Sequence, residues 1–303
     1  MRNFGGAARA VAWALVALLC SGCERTLFAV INRGVPPPAA SVVFDPAHAL
    51  SLDVYRAQGR RDPAPVVVFF YGGSWQRGNR AQYRFVGRQL ARHGVLAIVA
   101  DYRTWPRAGF PGFVDDAARA VAWARAHAAR YGGDPRRLFV AGHSAGAQIA
   151  ALLGTDRRYL ARSGVCGRAL AGVIGLSGPY DFRITGRYVP IFGPPAQWPD
   201  AQAVNFVDGD EPPFLLIHGQ RDRVVEARDS VELAARLKAR GVRAEVLLLP
   251  GAGHFATAAG LYNPGRWPRV LPAILAFVRD SPPARAEAGG QACLRGGSSG
   301  ERG

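Results

Sequence analysis

The chain has 303 residues, 49% of them hydrophobic and 20% charged, with a formal net charge of +16. This is enough apolar material for one large buried core with terminal extensions, so the chain does not need disulfides to fold. The excess charge is nearly all arginine, Lys238 being the one lysine. It is scattered rather than gathered into the basic stripe with interleaved aromatics that a nucleic-acid binder presents, so no nucleic-acid partner is expected, although the charge favours anionic lipid surfaces.

Residues 1–23 carry Arg2 and Arg9, then an apolar run from Ala10 to Leu19, then "CSGC". The run is too short to span a bilayer comfortably and has the layout of a secretory signal. Its end resembles a bacterial lipoprotein signal, with Cys23 as the residue that would be lipidated; Cys20 stands where a leucine is usual. The expectation is export, with a lipid anchor on the periplasmic face, or else a periplasmic or secreted protein. Cys20 and Cys23 belong to this signal, which leaves Cys166 and Cys293; nothing in the sequence requires them to pair. No Cys/His spacing suggests a zinc site.

Residues 24–40 read as a linker because "VPPP" cannot join a helix or a central strand. "SVVFDPAHALSLDVYRA" alternates as two short antiparallel strands would. "APVVVFFYGG" is a continuous β-branched and aromatic run ended by glycines, which suits a strand covered on both faces. A helical pattern follows over Tyr83–His93, then a strand in "VLAIVADYR", an amphipathic helix over Phe113–Tyr131, a strand in "RLFVAGHS" and a helix over Ala145–Leu153. "LAGVIGLSG" and "PFLLIHG" are strands, Ser230–Arg240 a helix, "AEVLLLPG" a strand and Val270–Val278 a closing helix. This alternation predicts an α/β domain over residues 41–280, a mostly parallel sheet with helices on both faces. The proline-rich stretch Arg183–Glu211 interrupts it and reads as a short lid or pocket wall. Residues 281–303 lack periodicity and read as a disordered tail.

"GHSAG", Gly142–Gly146, sits where a buried strand meets a helix. A G-x-S-x-G at such a junction forces a sharp turn, lifts the serine out of the sheet and sets it over the N–H groups of the helix that follows. A second match, Gly296–Gly300, has neither strand nor helix beside it and is rejected. A nucleophilic serine needs a base, an acid to orient that base and donors for the developing oxyanion. Ser144 is the candidate nucleophile. Of the histidines well beyond it, His218 ends a buried strand and reads as a satisfied core residue. His254 lies in the glycine-rich loop "PGAGHF" and is the candidate base. Asp222, in the loop after "LLIHG", is the candidate acid; its rival Asp229 falls where the next helix begins and reads as an N-terminal cap. Backbone N–H groups in "YGGSW" and that of Ala145 are the candidate oxyanion donors.

These segments, together with "DYR" at Asp101–Arg103, "FPGFVDDAARAVAW", "LSGPYD" and "IHGQRDRVV", resemble the α/β-hydrolase superfamily over nearly all of Val42–Val278. Within it the chain is similar to bacterial carboxylesterases related to the hormone-sensitive-lipase, feruloyl-esterase-like and kynurenine-formamidase groups. The resemblance implies a serine carboxylic-ester hydrolase for small or medium esters with Ser144, Asp222 and His254 as catalytic residues, an oxyanion hole at Gly73, Ser74 and Ala145, and no cofactor or metal. One departure is Tyr71, which stands where those groups usually have the histidine of His-Gly-Gly. An amidase or formamidase with the same triad is the alternative, and a non-catalytic binding protein of the same fold a further one. Phe110, Phe182, Trp198 and Phe255 are candidates for a substrate pocket or for core.

Overall fold

A computed structural model describes residues 26–59, 63–165 and 169–284. Its frame is an eight-stranded sheet in the order β1-β2-β4-β3-β5-β6-β7-β8. Strands β1 (Ala40–Asp45) and β2 (Leu50–Tyr55) form an antiparallel hairpin that also pairs antiparallel with β4 (Leu96–Ala100). From β4 onward β3 (Ala64–Phe70), β5 (Gly133–His143), β6 (Gly172–Leu176), β7 (Phe214–Gly219) and β8 (Ala244–Leu249) run parallel. Every residue of β3, β4, β6 and β7 is buried, which is why these segments read as unbroken apolar runs: both faces are covered. β8, at the edge, exposes or half-exposes Glu245–Leu248.

The helices are α1 (Arg84–Arg92), α2 (Gly112–His127), α3 (Ala145–Thr155), α4 (Arg157–Arg162), α5 (Val189–Phe192), α6 (Arg228–Ala239), α7 (Ala256–Tyr262) and α8 (Val270–Asp280). All eleven residues of α3 are buried, and their small side chains let it lie against the centre of the sheet. Three helices are not legible as periodic patterns: α4 and α5 are too short, and α7 is a run of alanine, glycine and threonine with little amphipathic contrast.

Two expectations change, and the stretch read as a lid or pocket wall resolves to a wall. The span expected to be a linker is helical over 26–31 and buries Phe28 and Ile31, while Asn32 fastens it by donating to the carbonyls of Ala81 and Gln82 and accepting from the N–H of Phe85. The stretch Arg183–Glu211 is a packed wall: α5 and short 3-10 turns bury Ile191, Phe192, Ala201, Ala203 and Val204. Asp229 does not cap its helix; it lies inside α6, and its carboxylate accepts the N–H of Tyr180 at 3.0 Å. The signal segment with Cys20 and Cys23, together with Cys166, Cys293 and residues 285–303, lies outside the described residues. Among the described residues no helix is long and apolar enough to cross a membrane.

Candidate active site

The carboxyl ends of β3, β5, β7 and β8 point the same way, and each is followed by one of the loops singled out in the sequence. Register levels them: Phe70 pairs with Gly142, and Gly219 with Leu249. Residues far apart in the chain therefore meet above the sheet, where open α/β sheets bind ligands.

Ser144 occupies the turn between β5 and α3 with φ 55° and ψ −120°, a region L-residues rarely enter. Its neighbours dictate that strain. A Cβ on Gly142 would lie 2.1 Å from the carbonyl oxygen of Gly146, and one on Gly146 would lie 2.2 Å from that of Phe70. Only glycine fits at either position. The Ser144 N–H is anchored to the Leu176 carbonyl at 2.8 Å. Ala145 takes the first helical position, where an N–H has no carbonyl within the helix to bond.

His254 Nε2 lies 2.9 Å from Ser144 Oγ, and His254 Nδ1 lies 2.7 Å from Asp222 Oδ2. The Asp222 side chain is wholly shielded from solvent. Burial alone would raise its pKa, but hydrogen bonds from His218, His254 and the Val225 N–H outweigh burial and hold it well below the usual carboxylate range. Asp222 Oδ1 accepts from the N–H groups of Val224 and Val225, so the carboxylate is fixed from both ends.

The oxyanion-loop candidates are also assembled. Gly73, Ser74 and Trp75 all have positive φ, and the Gly73 carbonyl accepts from Gln76 and Arg77 to close a tight turn. Among the described residues the Gly73 and Ser74 N–H groups have no acceptor. Trp75 donates through its indole to Gln148 on α3 at 3.1 Å, which ties this loop to the serine's own helix. Tyr71, the departure from His-Gly-Gly, stacks on Tyr102 at 4.4 Å; each hydroxyl donates to the other residue's carbonyl. The "DYR" segment serves the same scaffold: Asp101 binds Arg80, Tyr102 holds Tyr71, and Arg103 forks onto Asp116.

A cavity of about 490 Å3 opens beside Ser144, walled by Ser74, Trp75, Phe182, Tyr188 and Val225. Of the four aromatic candidates, Phe182 lines it. Phe110 packs with Phe113 and Phe192, Trp198 donates to the Gly193 carbonyl, and Phe255 packs edge-on against His143. Asp229 also lines the cavity, and burial pushes its carboxyl up to about 6 despite the Tyr180 and Asp181 N–H groups.

Sequence reading passed over three residues that the fold brings here. His218 is fully buried, as expected of a core histidine, yet its Nε2 lies 3.2 Å from Asp222 Oδ2 while its Nδ1 meets Ser230 Oγ at 2.7 Å. His143 and Tyr83 meet beneath the serine at 3.0 Å. None of these has a sequence signal of its own; the only hint was position, at a strand end or beside a glycine turn. Among the described residues the one His/carboxylate grouping close enough to share an ion is Asp45, His48 and Asp116, and Arg119 already bridges both aspartates.

A strained serine between a central strand and a buried helix, with the following loops arranged around it, defines an α/β-hydrolase. The chain belongs to the BD-FAE family, whose model matches residues 52–237. It is similar to Esterase LipC of Mycobacterium tuberculosis, with 37% identity over 236 residues, 69% of this chain and 57% of that protein. It is also similar to isoprenylcysteine alpha-carbonyl methylesterase ICME of Arabidopsis thaliana, with 30% identity over 237 residues, 71% of this chain and 56% of that protein. The chain thus spans little more than half the length of these curated relatives. Among solved structures it resembles Thermogutta terrifontis esterase 2 phosphonylated by sarin, with 26% identity, 72% of this chain and 86% of that chain covered, and a TM-score of 0.64.

Proposed function

We propose that the protein is a carboxylic-ester hydrolase that works through an acyl-enzyme. Ser144 Oγ attacks the ester carbonyl while His254 Nε2 takes its proton. Asp222 keeps the imidazole in the tautomer that can accept that proton and stabilises the imidazolium formed. The oxygen of the tetrahedral intermediate lies against the N–H groups of Gly73, Ser74 and Ala145. Collapse expels the alcohol, which leaves with the proton from His254. Water then attacks the acyl group on Ser144 by the same route and releases the acid.

The observation that carries this reading is the hydrogen-bonded line from Ser144 through His254 to Asp222, at 2.9 and 2.7 Å. The relatives named as esterases and the phosphonylated neighbour support it. A cavity of about 490 Å3 suits a small or medium ester. We further read residues 1–23 as an export signal, with Cys23 as a lipid anchor that holds the enzyme at a membrane.

The test is hydrolysis of p-nitrophenyl esters from acetate to palmitate, with Ser144→Ala alongside. Turnover confined to the shorter chains and abolished in the variant is expected. Absence of turnover on every ester, with no labelling of Ser144 by an organophosphonate, overturns the reading. Cys23→Ala is expected to move the protein from the membrane to the soluble fraction with activity intact.

A further inference from the structure

His143, the residue before the serine, faces away from the substrate cavity, and its two ring nitrogens are spoken for. Nε2 lies 3.3 Å from the backbone carbonyl of His254, and Nδ1 lies 3.0 Å from the Tyr83 hydroxyl. The Tyr83 oxygen in turn accepts the N–H of Gly72 at 3.4 Å. The proton positions follow from which partners can only give and which can only take. A carbonyl only accepts, so His143 Nε2 carries the hydrogen. With the hydrogen on Nε2, Nδ1 of the neutral ring can only accept, so the Tyr83 hydroxyl donates to it while its oxygen accepts the Gly72 N–H. The line therefore runs from Gly72 N–H to Tyr83 O, from Tyr83 O–H to His143 Nδ1, and from His143 Nε2–H to the His254 carbonyl.

We propose that Tyr83 and His143 form a brace that fixes the loop carrying the oxyanion donors relative to the loop carrying the base, which makes both of them positioning residues for the reaction at Ser144. The proposal rests on the ester-hydrolase reading for its catalytic consequence, not for its geometry. Gly72 immediately precedes the donors Gly73 and Ser74, and the carbonyl being held is that of the base itself. The contact is close: a Cβ on Gly72 would lie 2.9 Å from His143 Nδ1. A second donor, the Thr257 hydroxyl at 3.4 Å, pins the His254 carbonyl as well.

Water is kept from the brace by a ring of aromatics. Phe255 stands edge-on to His143 at 5.3 Å, Phe28 stands edge-on to Phe255 at 5.9 Å, and Phe28 packs on Tyr83 at 5.5 Å. Phe28 comes from the N-terminal helical stretch, so that segment closes the ring. Within it, burial and the neighbouring His254 lower the His143 pKa to about 3, which keeps the imidazole neutral and its tautomer fixed across the working range.

The experiment has two arms on the full chain. In the first, proton and nitrogen spectra of histidine-labelled protein are recorded from about pH 5 to about pH 8. The expected result is one imidazole, absent from His143→Leu and displaced in Tyr83→Phe, that stays neutral, keeps its hydrogen on Nε2 and exchanges slowly with solvent. A His143 signal that titrates in this range, or that carries its hydrogen on Nδ1, overturns the brace. In the second arm, Tyr83→Phe keeps the ring and its packing but removes the hydrogen bonds to Gly72 and His143. It is expected to lower kcat on p-nitrophenyl acetate about ten-fold with KM within about two-fold, while the buried groups left unpaired lower the melting temperature by a few degrees and the variant stays folded at the assay temperature. A kcat within about two-fold of the parent, or a loss accounted for by the fraction of the variant unfolded at the assay temperature, overturns the positioning role. If the unsubstituted protein neither hydrolyses the ester nor labels at Ser144, the ester-hydrolase reading has failed, and the spectra alone decide the brace.

Discussion

Gly142 and Gly146 face each other across the turn that lifts Ser144, and a Cβ on the first would lie 2.1 Å from the carbonyl oxygen of the second. Neither contact involves a flexible side-chain end that could swing away. Gly142→Ala and Gly146→Ala are each expected to cost about 3 kcal/mol or more of stability and to abolish ester turnover, because relief requires the β5–α3 junction to shift. Thermal melts alongside p-nitrophenyl acetate assays check this.

Ser144→Ala is expected to lower turnover by at least about 10⁴-fold while leaving the melting temperature within a few degrees, since the hydroxyl is replaced by a hydrogen in a position that already tolerates its Cβ. Intact-mass measurement after treatment with an organophosphonate should show one adduct on the parent and none on the variant.

Asp222→Asn exchanges a pure acceptor for a group with two N–H donors, in a position already facing His254, His218, Val224 and Val225. At least one donor must then oppose another. Turnover is expected to fall about 10³- to 10⁴-fold, chiefly in kcat, as the imidazole loses its required tautomer. Steady-state kinetics across pH resolve the loss.

His218→Leu leaves the buried Ser230 hydroxyl and the half-buried Val225 carbonyl without the ring they bond, at 2.7 and 3.1 Å. A loss of about 2 to 4 kcal/mol in unfolding free energy is expected by denaturant titration, together with reduced kcat from a carboxylate held by one donor fewer.

Asp229 and Asp222 give opposite pH dependences. Asp229 is raised to about 6, so its favourable contribution is complete below the unfolded carboxylate range and is lost as pH rises to about 6. Asp222 is lowered, so its contribution is present above the unfolded range and is lost as the solution is acidified. Asp229→Asn keeps an acceptor for Tyr180 but removes the charge. The variant should gain about 2 to 3 kcal/mol relative to the parent between pH 4 and pH 7, read from unfolding curves at both values.

Most of the frame was legible because buried parallel strands announce themselves as apolar runs, and because the glycines at 142 and 146 have a steric reason that survives without coordinates. Ser144, Asp222 and His254 were found by order and loop context, and they meet in space as that order implies. What escaped were groups whose importance lies in what they touch. His218 looks like any histidine at a strand end until its partner turns out to be Asp222. Tyr83 opens a helix pattern and gives no sign that its hydroxyl reaches under Gly72. Phe28 sits in a stretch that its prolines disguise as a linker, and the helical turn there is too short for periodicity to reveal. Asp229 was misread because the rule for helix starts is local, whereas the N–H groups it serves belong to a loop about fifty positions away.

Ser144 and His254 are separated by 110 positions along the chain, and the imidazole arrives on the loop that follows the outermost strand of its side of the sheet. A refolding chain can complete the central strands and the serine's turn while β8 is still undocked, and such a species has native-like secondary structure and Ser144 without the His254 imidazole beside it. Recovery of ester turnover therefore reports the arrival of the last edge, and it should lag the recovery of helical circular dichroism. The lag between the two signals times the docking of a single strand.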